Sequence, residues 1–483
     1  MNETKTSNII DSDLKTLFET VVDGGYCIGC GACASLEGSP ITMKLDPYKK
    51  IQATIDTNEI ILDQNQYTKV CPFSNNSKNE DEIGKDLFQI NTKKDDKLGY
   101  VINNYAGHVA EDSYRENGSS GGMGTWVLAE LLNKKMVDYV VHIHQRVPDE
   151  QNPCLFSYSI STNQAQLRAG AKSRYYPVEL SEMMKVILST PGNYAIVGIP
   201  CFIKSVRLLS YENPILKARI KFCIGLVCGH LKSASFAEMF GWQIGVNPKH
   251  MSAIDFRTKL EGYGANQYGV TVTETINHVS TDKVSKPVNQ LYGTNWGFGF
   301  FKYKACDFCD DVVAETADST VGDAWLPEYV NDTKGTNIVV IRNAELHELV
   351  TAGIEAGRLA LTPLDNSRVI ESQSSGFSHR REGLAYRLHQ VDLQGKWRPR
   401  KRVSPKGEGW SKKFIAIQDA RIELFENSHT SFKAALDQDD FGVFTRRMDP
   451  LIKSYRKLYQ PPILHRVYRK AMSILKHTMG AAK

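Results

Sequence analysis

Four cysteines in the first part of the chain have the spacing of metal ligands. Cys27, Cys30 and Cys33 form a C-x2-C-x2-C run, and Cys71 follows later, directly before Pro72. Each two-residue step lets the loop curl around one corner of a cubic cluster, and a Cys-Pro further along the chain supplies the fourth thiolate. The four residues therefore predict a 4Fe–4S cluster and a role in redox chemistry.

Small residues between these cysteines favour the same interpretation. Gly29, Gly31 and Ala32 let backbone N–H groups approach the sulfurs and stabilise their charge. A structural zinc knot is the alternative, but it prefers paired C-x2-C units, and a radical-SAM triplet would need a longer first gap. A two-cluster ferredoxin would repeat the triplet just before the Cys-Pro, where this sequence has Cys71 alone. We infer a ferredoxin-type module that kept one cluster.

A second set of cysteines lies in the middle of the chain. Two follow apolar runs and two form a C-x2-C pair; the four are Cys201, Cys228, Cys306 and Cys309. Ligands collect at the carboxyl ends of strands in open α/β sheets, and Cys201 is placed there. Four thiolates are enough for a second cubane or for zinc. Cys223 competes with Cys228, although a thiol inside a strand is typically buried and inert, and Cys154 is interpreted as structural.

Two polar segments are candidates for binding a phosphorylated, ring-containing cofactor. The first opens a predicted helix with the small residues Ser119, Ser120, Gly121 and Gly122. Such a helix N-terminus offers free N–H groups to an anion, although it is neither a Walker A loop nor a GxGxxG, and an ordinary N-cap is the alternative. The second segment combines cations and aromatic rings in Lys172, Ser173, Arg174 and Tyr175, a mixture that solvated surface chemistry also explains.

Two carboxylates complete the candidate residues. Asp318 and Asp323 lie on either side of a glycine in the segment 317–325. A carboxylate pair performs acid–base work or holds a ribose, whereas turn capping is the alternative role for Asp318.

Alternating strands and helices must position these residues. Short apolar runs predict buried strands over 137–143, 194–199 and 220–227, with helices over 126–132, 181–188 and 236–242 between them. This alternation predicts an α/β core with a largely parallel sheet. Further strands are expected over 41–44, 51–55, 268–273 and 337–342, and a closing helix over 344–356.

Composition divides the 483 residues into six segments. We expect a leader over 1–20 with a helical turn near Leu14, an iron–sulfur module over 21–76, a polar linker over 77–99, two core domains over 100–185 and 186–375, and a basic helical extension over 376–483. Ten clustered cysteines indicate metal ligation in a reducing compartment rather than a disulfide scaffold. No apolar signal or run of about 18 apolar residues occurs, so we expect a cytoplasmic protein.

The net charge of +5 conceals a basic end of the chain. Residues 380–483 contain 23 Lys and Arg against 10 Asp and Glu. Such an extension suits an acidic redox protein, an anionic membrane surface or nucleic acid, and a solvated helical tail is the alternative. Regular aromatic residues are not interleaved with the charges, which argues against stacking on nucleic acid.

Taken in order, these segments resemble the beta-subunit family of coenzyme F420 hydrogenases and dehydrogenases, which includes 7-hydroxymethyl chlorophyll a reductase-like proteins. The resemblance covers roughly residues 21–345 and rests on eight motifs in the family's order. They are the triplet with Cys71, 119–122, 173–175, 198–201, 227–230, 256–259, 306–309 and 317–325. The basic extension and the missing second ferredoxin triplet depart from it.

The resemblance implies FAD as a second type of cofactor, with electrons passing between the flavin and the clusters. It implies that 119–122 and 173–175 hold the FAD, that Arg257 and Lys259 place cations near it, and that the second cysteine set holds a cluster close to the ring. A flavin suits this role because it accepts two electrons as hydride and releases them singly.

The leading hypothesis is therefore an oxidoreductase that moves electrons between a ferredoxin-type partner and a small organic substrate, coenzyme F420 or another reducible metabolite, in either direction. One alternative is an electron-transfer subunit without an organic substrate of its own. Another is a scaffold with two zinc knots whose basic extension binds nucleic acid or a membrane.

Overall fold

The computed structural model describes residues 12–55, 66–90, 92–149 and 152–460. Within these ranges the chain divides into two compact units, one of residues up to 296 together with 300–407, and one of 297–299 together with 408 onward. Residues 1–11 of the leader expected over 1–20, and residues 461–483 of the basic extension, lie outside the described residues.

The described residues form fifteen strands. In chain order they are β1 (Ile41–Leu45), β2 (Ile51–Ile55), β3 (Lys93–Asp95), β4 (Gly99–Val101), β5 (Asn103–Val109), β6 (Tyr139–Gln145), β7 (Phe156–Ser161), β8 (Tyr194–Gly198), β9 (Ile220–Leu226), β10 (Met251–Thr258), β11 (Gly269–Ile276), β12 (Val279–Val284), β13 (Ser319–Asp323), β14 (Asn337–Ile341) and β15 (Leu359–Pro363).

Sixteen α-helices accompany them in the same ranges. They are α1 (Ser12–Leu17), α2 (Tyr67–Val70), α3 (Glu80–Phe88), α4 (Tyr114–Asn117), α5 (Met123–Asn133), α6 (Gln164–Ala169), α7 (Ser181–Ser189), α8 (Pro200–Glu212), α9 (Pro214–Arg219), α10 (Ser235–Gln243), α11 (Ala344–Glu355), α12 (Asn366–Ser372), α13 (Ser374–Arg380), α14 (Glu382–Leu393), α15 (Lys412–Gln438) and α16 (Phe441–Tyr459). None of the helices in these ranges is long and apolar enough to cross a membrane.

An eight-stranded sheet in the order β15-β5-β14-β13-β9-β8-β6-β7 organises the first unit. Its central strands β13, β9, β8 and β6 run parallel, and the pairs on both sides of them are antiparallel. The predicted α/β class is confirmed, and the parallel arrangement holds for the centre of the sheet. The outer strands reverse because short connections, rather than crossover helices, join several of them. The edge strand β15 differs, because it follows helix α11; the helix expected to close the core is therefore succeeded by one more strand of the sheet.

Two hydrophobic layers cover the two faces of this sheet. Along β14, Val339 and Ile341 belong to one apolar cluster, while Ile338 and Val340 belong to another. Side chains alternate between the faces of a strand, so this alternation shows that both faces are buried. Trp126 of α5, which is fully buried, is part of the first layer.

The first cysteine set lies among the short elements at the start of the chain. The predicted strands over 41–44 and 51–55 are confirmed as the hairpin β1–β2, paired from Ile41 with Ile55 to Leu45 with Ile51. Helix α1 contains Leu14, where a helical turn was predicted, and it buries Leu14 and Leu17.

The polar linker expected over 77–99 is instead folded. Asn79 caps α3 with a reciprocal capping box to Glu82, and α3 is followed by the β3–β4 hairpin. Glu80 is buried and forms an ion pair with Lys204 at 3.1 Å. The polar composition therefore reflects capping and a buried ion pair rather than an exposed connection.

The basic extension predicted over 376–483 is helical in its described part, but it belongs to both units. Its first portion, up to residue 407, is part of the first unit. There Arg402 is buried and paired with Glu315 at 2.6 Å and Asp310 at 3.3 Å. Some of the excess positive charge is thus neutralised inside the protein. In the second unit, α15 packs against α16.

Candidate functional site

The four cysteines of the first set line one enclosed cavity. Cys27, Cys30, Cys33 and Cys71 surround it together with apolar side chains such as Met43 and Phe73. Gly29 takes a left-handed conformation with φ of 69°, and a Cβ there would lie 2.3 Å from the carbonyl oxygen of Ile51. Its N–H donates to Cys27 Sγ at 3.4 Å. Glycine is therefore required for the loop to wrap this tightly.

The surroundings of these thiols make deprotonation costly without a cation. Burial raises the pKa of Cys30 and of Cys71 to about 12, and the neighbouring sulfurs add to the effect. Burial likewise raises the pKa of Cys33 well above its ordinary value. A metal that binds four thiolates supplies the missing positive charge, so the donor set and the apolar cavity fit an iron–sulfur cluster.

The second set converges from three separate segments of the chain. Cys201 starts α8, Cys228 follows β9, and Cys306 and Cys309 lie in and after a short 3₁₀ helix over Lys304–Phe308. All four border one small cavity. The backbone N–H of Leu231 donates to Cys306 Sγ at 3.3 Å.

The competing cysteines lie apart from both sets. Cys223 is fully buried within β9, and its backbone N–H donates to Asp318 Oδ2 at 2.6 Å. Cys154 precedes β7 and borders neither cavity. Of the two candidates for the fourth position, Cys228 is therefore the one that lies with Cys201, Cys306 and Cys309. In the part of the chain described, no three His, Cys, Asp or Glu side chains lie close enough to hold a single metal ion.

A third cavity, of about 260 Å³, lies at the carboxyl ends of the parallel strands. Its lining includes both polar segments singled out in the sequence, namely Ser119, Ser120, Gly122, Ser173, Arg174 and Tyr175. A hydrogen bond from the Ser173 N–H to Ser119 Oγ at 2.8 Å joins the two segments. The Arg174 Nε is buried and has no partner among the described residues. The Nη2 of Arg174 donates to Ala171 O at 2.9 Å, and a guanidinium with one free donor beside a polar loop suits an anionic group such as a phosphate.

The predicted helix start is confirmed at this cavity. Gly122 precedes α5 with φ of 88°, and a Cβ on it would lie 2.7 Å from the carbonyl carbon of Tyr114. Gly124 and Thr125 in the first turn also line the cavity. Gly121 does not line it, because it packs against Gly107, whose carbonyl oxygen would lie 2.7 Å from a Cβ. The positive end of the α5 dipole thus lies at the cavity wall.

The two cations expected near the flavin or its partner line a smaller cavity next to the large one. Arg257 donates to Ser119 O at 3.2 Å and to the Tyr175 hydroxyl at 3.3 Å, and it lines a neighbouring smaller cavity. Lys259 Nζ donates to Arg115 O at 2.6 Å in the same place. Neither side chain lines the large cavity; Arg257 holds the wall residues Ser119 and Tyr175 in position, and Lys259 bonds to the segment that precedes them.

The carboxylate pair is separated. Asp323 lines the large cavity and pairs with Arg257 at 3.0 Å. Asp318 is buried, accepts a hydrogen bond from Arg207 at 2.7 Å and also bonds the Cys223 N–H. Asp318 therefore organises the core, and only Asp323 is available to a bound molecule.

Sequence reasoning missed other residues in the cavity wall. Lys232 is buried there, donates to Phe300 O at 2.7 Å, and burial lowers its pKa to about 7. His230 lies beside it with Nδ1 unpartnered among the described residues, and His142 projects from β6. Lys232 comes four residues after Cys228, so the strand-end position could have drawn attention to it.

The three cavities follow one another and share walls. Ile28 and Phe73 border both cysteine-lined cavities. Ile199, Leu231 and Cys228 border both the second of these and the large cavity. The second cysteine set thus lies between the first set and the large cavity.

Two family models match the chain across the sheet. Both describe the beta subunit of coenzyme F420 hydrogenase/dehydrogenase: the model of its N-terminal part matches residues 104–185, and the model of its C-terminal part matches residues 192–367. No curated protein shows significant similarity to the chain. Among solved structures, it is similar to a chain of the xenon-derivatised F420-reducing [NiFe] hydrogenase complex from Methanosarcina barkeri, with 14% identity and a TM-score of 0.46 over 64% of this chain and 99% of that chain.

Proposed function

Because the chain belongs to the coenzyme F420 hydrogenase/dehydrogenase beta-subunit family, a family of oxidoreductases, we propose that it is an iron–sulfur flavoprotein. It carries electrons between a ferredoxin-type partner and a small organic substrate, through two 4Fe–4S clusters and FAD. The observation that carries this proposal is the succession of three cavities with shared walls, of which the first two are each lined by four cysteines.

The two cysteine sets divide the task of binding the clusters. Cys27, Cys30, Cys33 and Cys71 hold the first, and Cys201, Cys228, Cys306 and Cys309 hold the second. Apolar side chains around the first set exclude water, and a buried position favours rapid transfer between neighbouring centres without side reactions. Ile28 and Phe73 border both sites, which supports transfer from one cluster to the other.

The large cavity is the proposed FAD site. FAD supplies the conversion between hydride and single-electron transfer when bound. The α5 N-terminus, Ser119 and Arg174 offer donors and positive charge to its phosphates. Arg257 holds Ser119 and Tyr175 in place from behind. Lys232 and His230 line the part of the wall nearest to Cys228 and provide polar groups where the substrate would meet the ring.

The substrate is proposed as coenzyme F420 or another reducible small molecule. The polar groups of Lys232 and Asp323 on the cavity wall support a substrate with hydrogen-bonding groups. Turnover of a small acceptor by the isolated chain would support this enzyme, whereas activity only within a co-purifying complex would favour an electron-transfer subunit.

The decisive experiment is the cofactor content of anaerobically purified protein. We expect about eight irons, about eight acid-labile sulfides and about one FAD per chain, because each cubane needs four cysteines. About four irons with FAD would show that one cysteine set is misassigned. Zinc without flavin would overturn the proposal.

A further inference from the structure

Arg380, the last residue of α13, lies in the wall of the second cysteine cavity. Its side chain is buried, with 2% exposed, and its Nη2 donates to Gly229 O at 2.9 Å, next to Cys228. The Nε has no hydrogen-bond partner among the described residues. Arg380 lies beyond both family-model matches, which end at residue 367.

Neighbouring buried cations of the same region have carboxylate partners. Arg387 lies 3.8 Å from Asp307, and Arg381 lies 3.5 Å from Glu315. In the described ranges no carboxylate forms an ion pair with Arg380. A buried charge that no carboxylate neutralises is unfavourable, so Arg380 favours a negative group in the cavity.

The anionic partners within reach of Arg380 are the cysteine sulfurs. Arg380 borders the same cavity as Cys228, Cys306 and Cys309. Four thiolates around an iron–sulfur core carry a net negative charge, which is the partner that the guanidinium lacks. The free Nε donor of Arg380 and its positive charge are therefore both consistent with an iron–sulfur cluster in this cavity.

The first cysteine cavity has a different electrostatic character. Among the described residues, its lining contains cysteines, Tyr26 and apolar side chains and no cation, and the cation that acts on Cys27, Lys50, lies outside the lining. The two carboxylates adjacent in sequence to the second set are both neutralised, Asp307 by Lys302 at 2.5 Å and Asp310 by Arg402 at 3.3 Å. Cluster potentials rise when positive charge and hydrogen bonds stabilise the added electron.

We propose that Arg380 is the charge partner of the second cluster and makes it the stronger electron acceptor of the two. This inference rests on the proposed function and specifies the direction in which electrons flow. With the second cluster as the stronger acceptor, an electron given by a low-potential donor protein to the first cluster would pass on to the second, the one beside the large cavity. The chain then works as a reductase of the bound small molecule.

Redox titration followed by EPR of the cofactor-loaded protein tests this directly. The variants are Arg380→Gln, which removes the charge, Arg380→Lys, which keeps it, and the matched control Arg381→Gln, whose side chain pairs with Glu315 outside the cavity. A Cys306→Ala sample identifies the signal of the second cluster. We expect this signal in wild type at the higher potential.

In Arg380→Gln we expect the ratio of reduced to oxidised second cluster at a fixed potential to fall at least about tenfold, which corresponds to 59 mV for one electron. The first cluster and the Arg381→Gln control should not change, and Arg380→Lys should keep most of the wild-type potential. If Arg380→Gln loses the second cluster, retention in Arg380→Lys supports the role of charge.

Three results would overturn the inference: an unchanged second potential in Arg380→Gln, loss of the second cluster in Arg380→Lys as well, or a wild-type second cluster with the lower potential. Failure of the proposed function is distinguishable, because wild-type protein would then contain no second cluster at all.

Discussion

Arg257 Nη1 lies 3.0 Å from Asp323 Oδ2, and the same guanidinium donates to Ser119 O and to the Tyr175 hydroxyl. Arg257 is almost fully buried, and the charge of Asp323, together with Tyr175 and Tyr268, holds its pKa well above the ordinary value despite its burial. One side chain thereby fixes three points of the large cavity wall. A planar fork of donors achieves this, and a lysine ammonium would not.

We predict that Arg257→Gln loses FAD and keeps its iron. The substitution leaves Asp323 without its cation and releases Ser119 and Tyr175, which line the cavity. Truncating one partner of a buried charge pair costs about 2–5 kcal/mol in binding, so FAD affinity should fall by at least about tenfold. Fluorescence titration of released flavin measures this.

Arg257→Lys keeps the positive charge and removes the planar fork of donors, so it tests which of the two FAD binding needs. It should recover less than the full affinity, because an ammonium cannot reach Asp323, Ser119 and Tyr175 together. Lys185→Gln, which changes an exposed lysine paired with Glu182, is the matched control and should bind FAD as wild type does. Wild-type flavin content in Arg257→Gln would contradict the positioning role.

We predict that a single cysteine substitution removes the iron of one site and leaves the iron of the other in place. Cys30→Ala should lose about four of about eight irons and keep FAD, because the first set is separated from the large cavity by the second. Cys306→Ala should lose the other four and perturb the flavin absorption spectrum, because its cavity shares Ile199 and Leu231 with the large one.

Cys223→Ala is the matched control for the second site. Its thiol is as deeply buried as any ligand, but it lies inside β9 and borders neither cysteine cavity. We expect full iron content from this variant and loss of about four irons from Cys228→Ala. Loss of FAD with full iron in Cys306→Ala would refute the assignment of the second site.

Local sequence signals predicted what depends on local geometry. The C-x2-C-x2-C run, the helix that starts after Gly122 and the strands β6, β8 and β9 are each specified by residues close in the chain. The antiparallel outer strands were not predictable in this way, since their pairing depends on contacts such as Leu359 with Val109, which are far apart in sequence. The roles of residues that act through such contacts were therefore not predictable from the sequence.

Arg257 and Arg380 illustrate the limit. Arg257 was expected beside the cofactor, yet its position behind Ser119 depends on how β10 packs against the Gly118–Ser120 loop. Arg380 belongs to the segment predicted as a basic helical extension, and the place of its buried charge beside the second cysteine set depends on residues far away in the sequence. Amino-acid composition shows how many charges a segment contains, but it does not show which groups the fold places beside them.

We predict that Asp318→Asn destabilises the core strongly without removing a ligand. Asp318 and Arg207 are both buried and paired at 2.7 Å, so the substitution leaves Arg207 without its countercharge. Breaking a buried pair in this way costs about 3–5 kcal/mol. Urea unfolding followed by circular dichroism measures it, and Asp149→Asn, at an exposed pair with Arg146, should change the stability by less than about 0.5 kcal/mol. Comparable stabilities of the two variants would place Asp318 in a functional rather than a structural role.

The last prediction concerns acid stability and His142. This side chain is buried in β6, and its Nε2 shares a hydrogen bond with Ser161 Oγ at 2.8 Å. Burial lowers its pKa to about 3, and the nearby His144 and Arg174 add to the effect. An unfolded histidine has a pKa of about 6.5. Between these two values the unfolded chain binds a proton that the folded chain does not, so the stability that His142 contributes is complete above about pH 6.5 and is lost as the pH falls toward about 3.

The expected slope from this one group is about 1.4 kcal/mol per pH unit within that window. His142→Gln removes the titrating group and should flatten the decrease of the urea midpoint between about pH 6 and pH 4 relative to wild type. His250→Gln, at an exposed position, is the matched control and should run parallel to wild type. A His142→Gln profile that also runs parallel would show that His142 is already protonated in the folded protein, and Arg174 would then face a second positive charge in the wall of the large cavity.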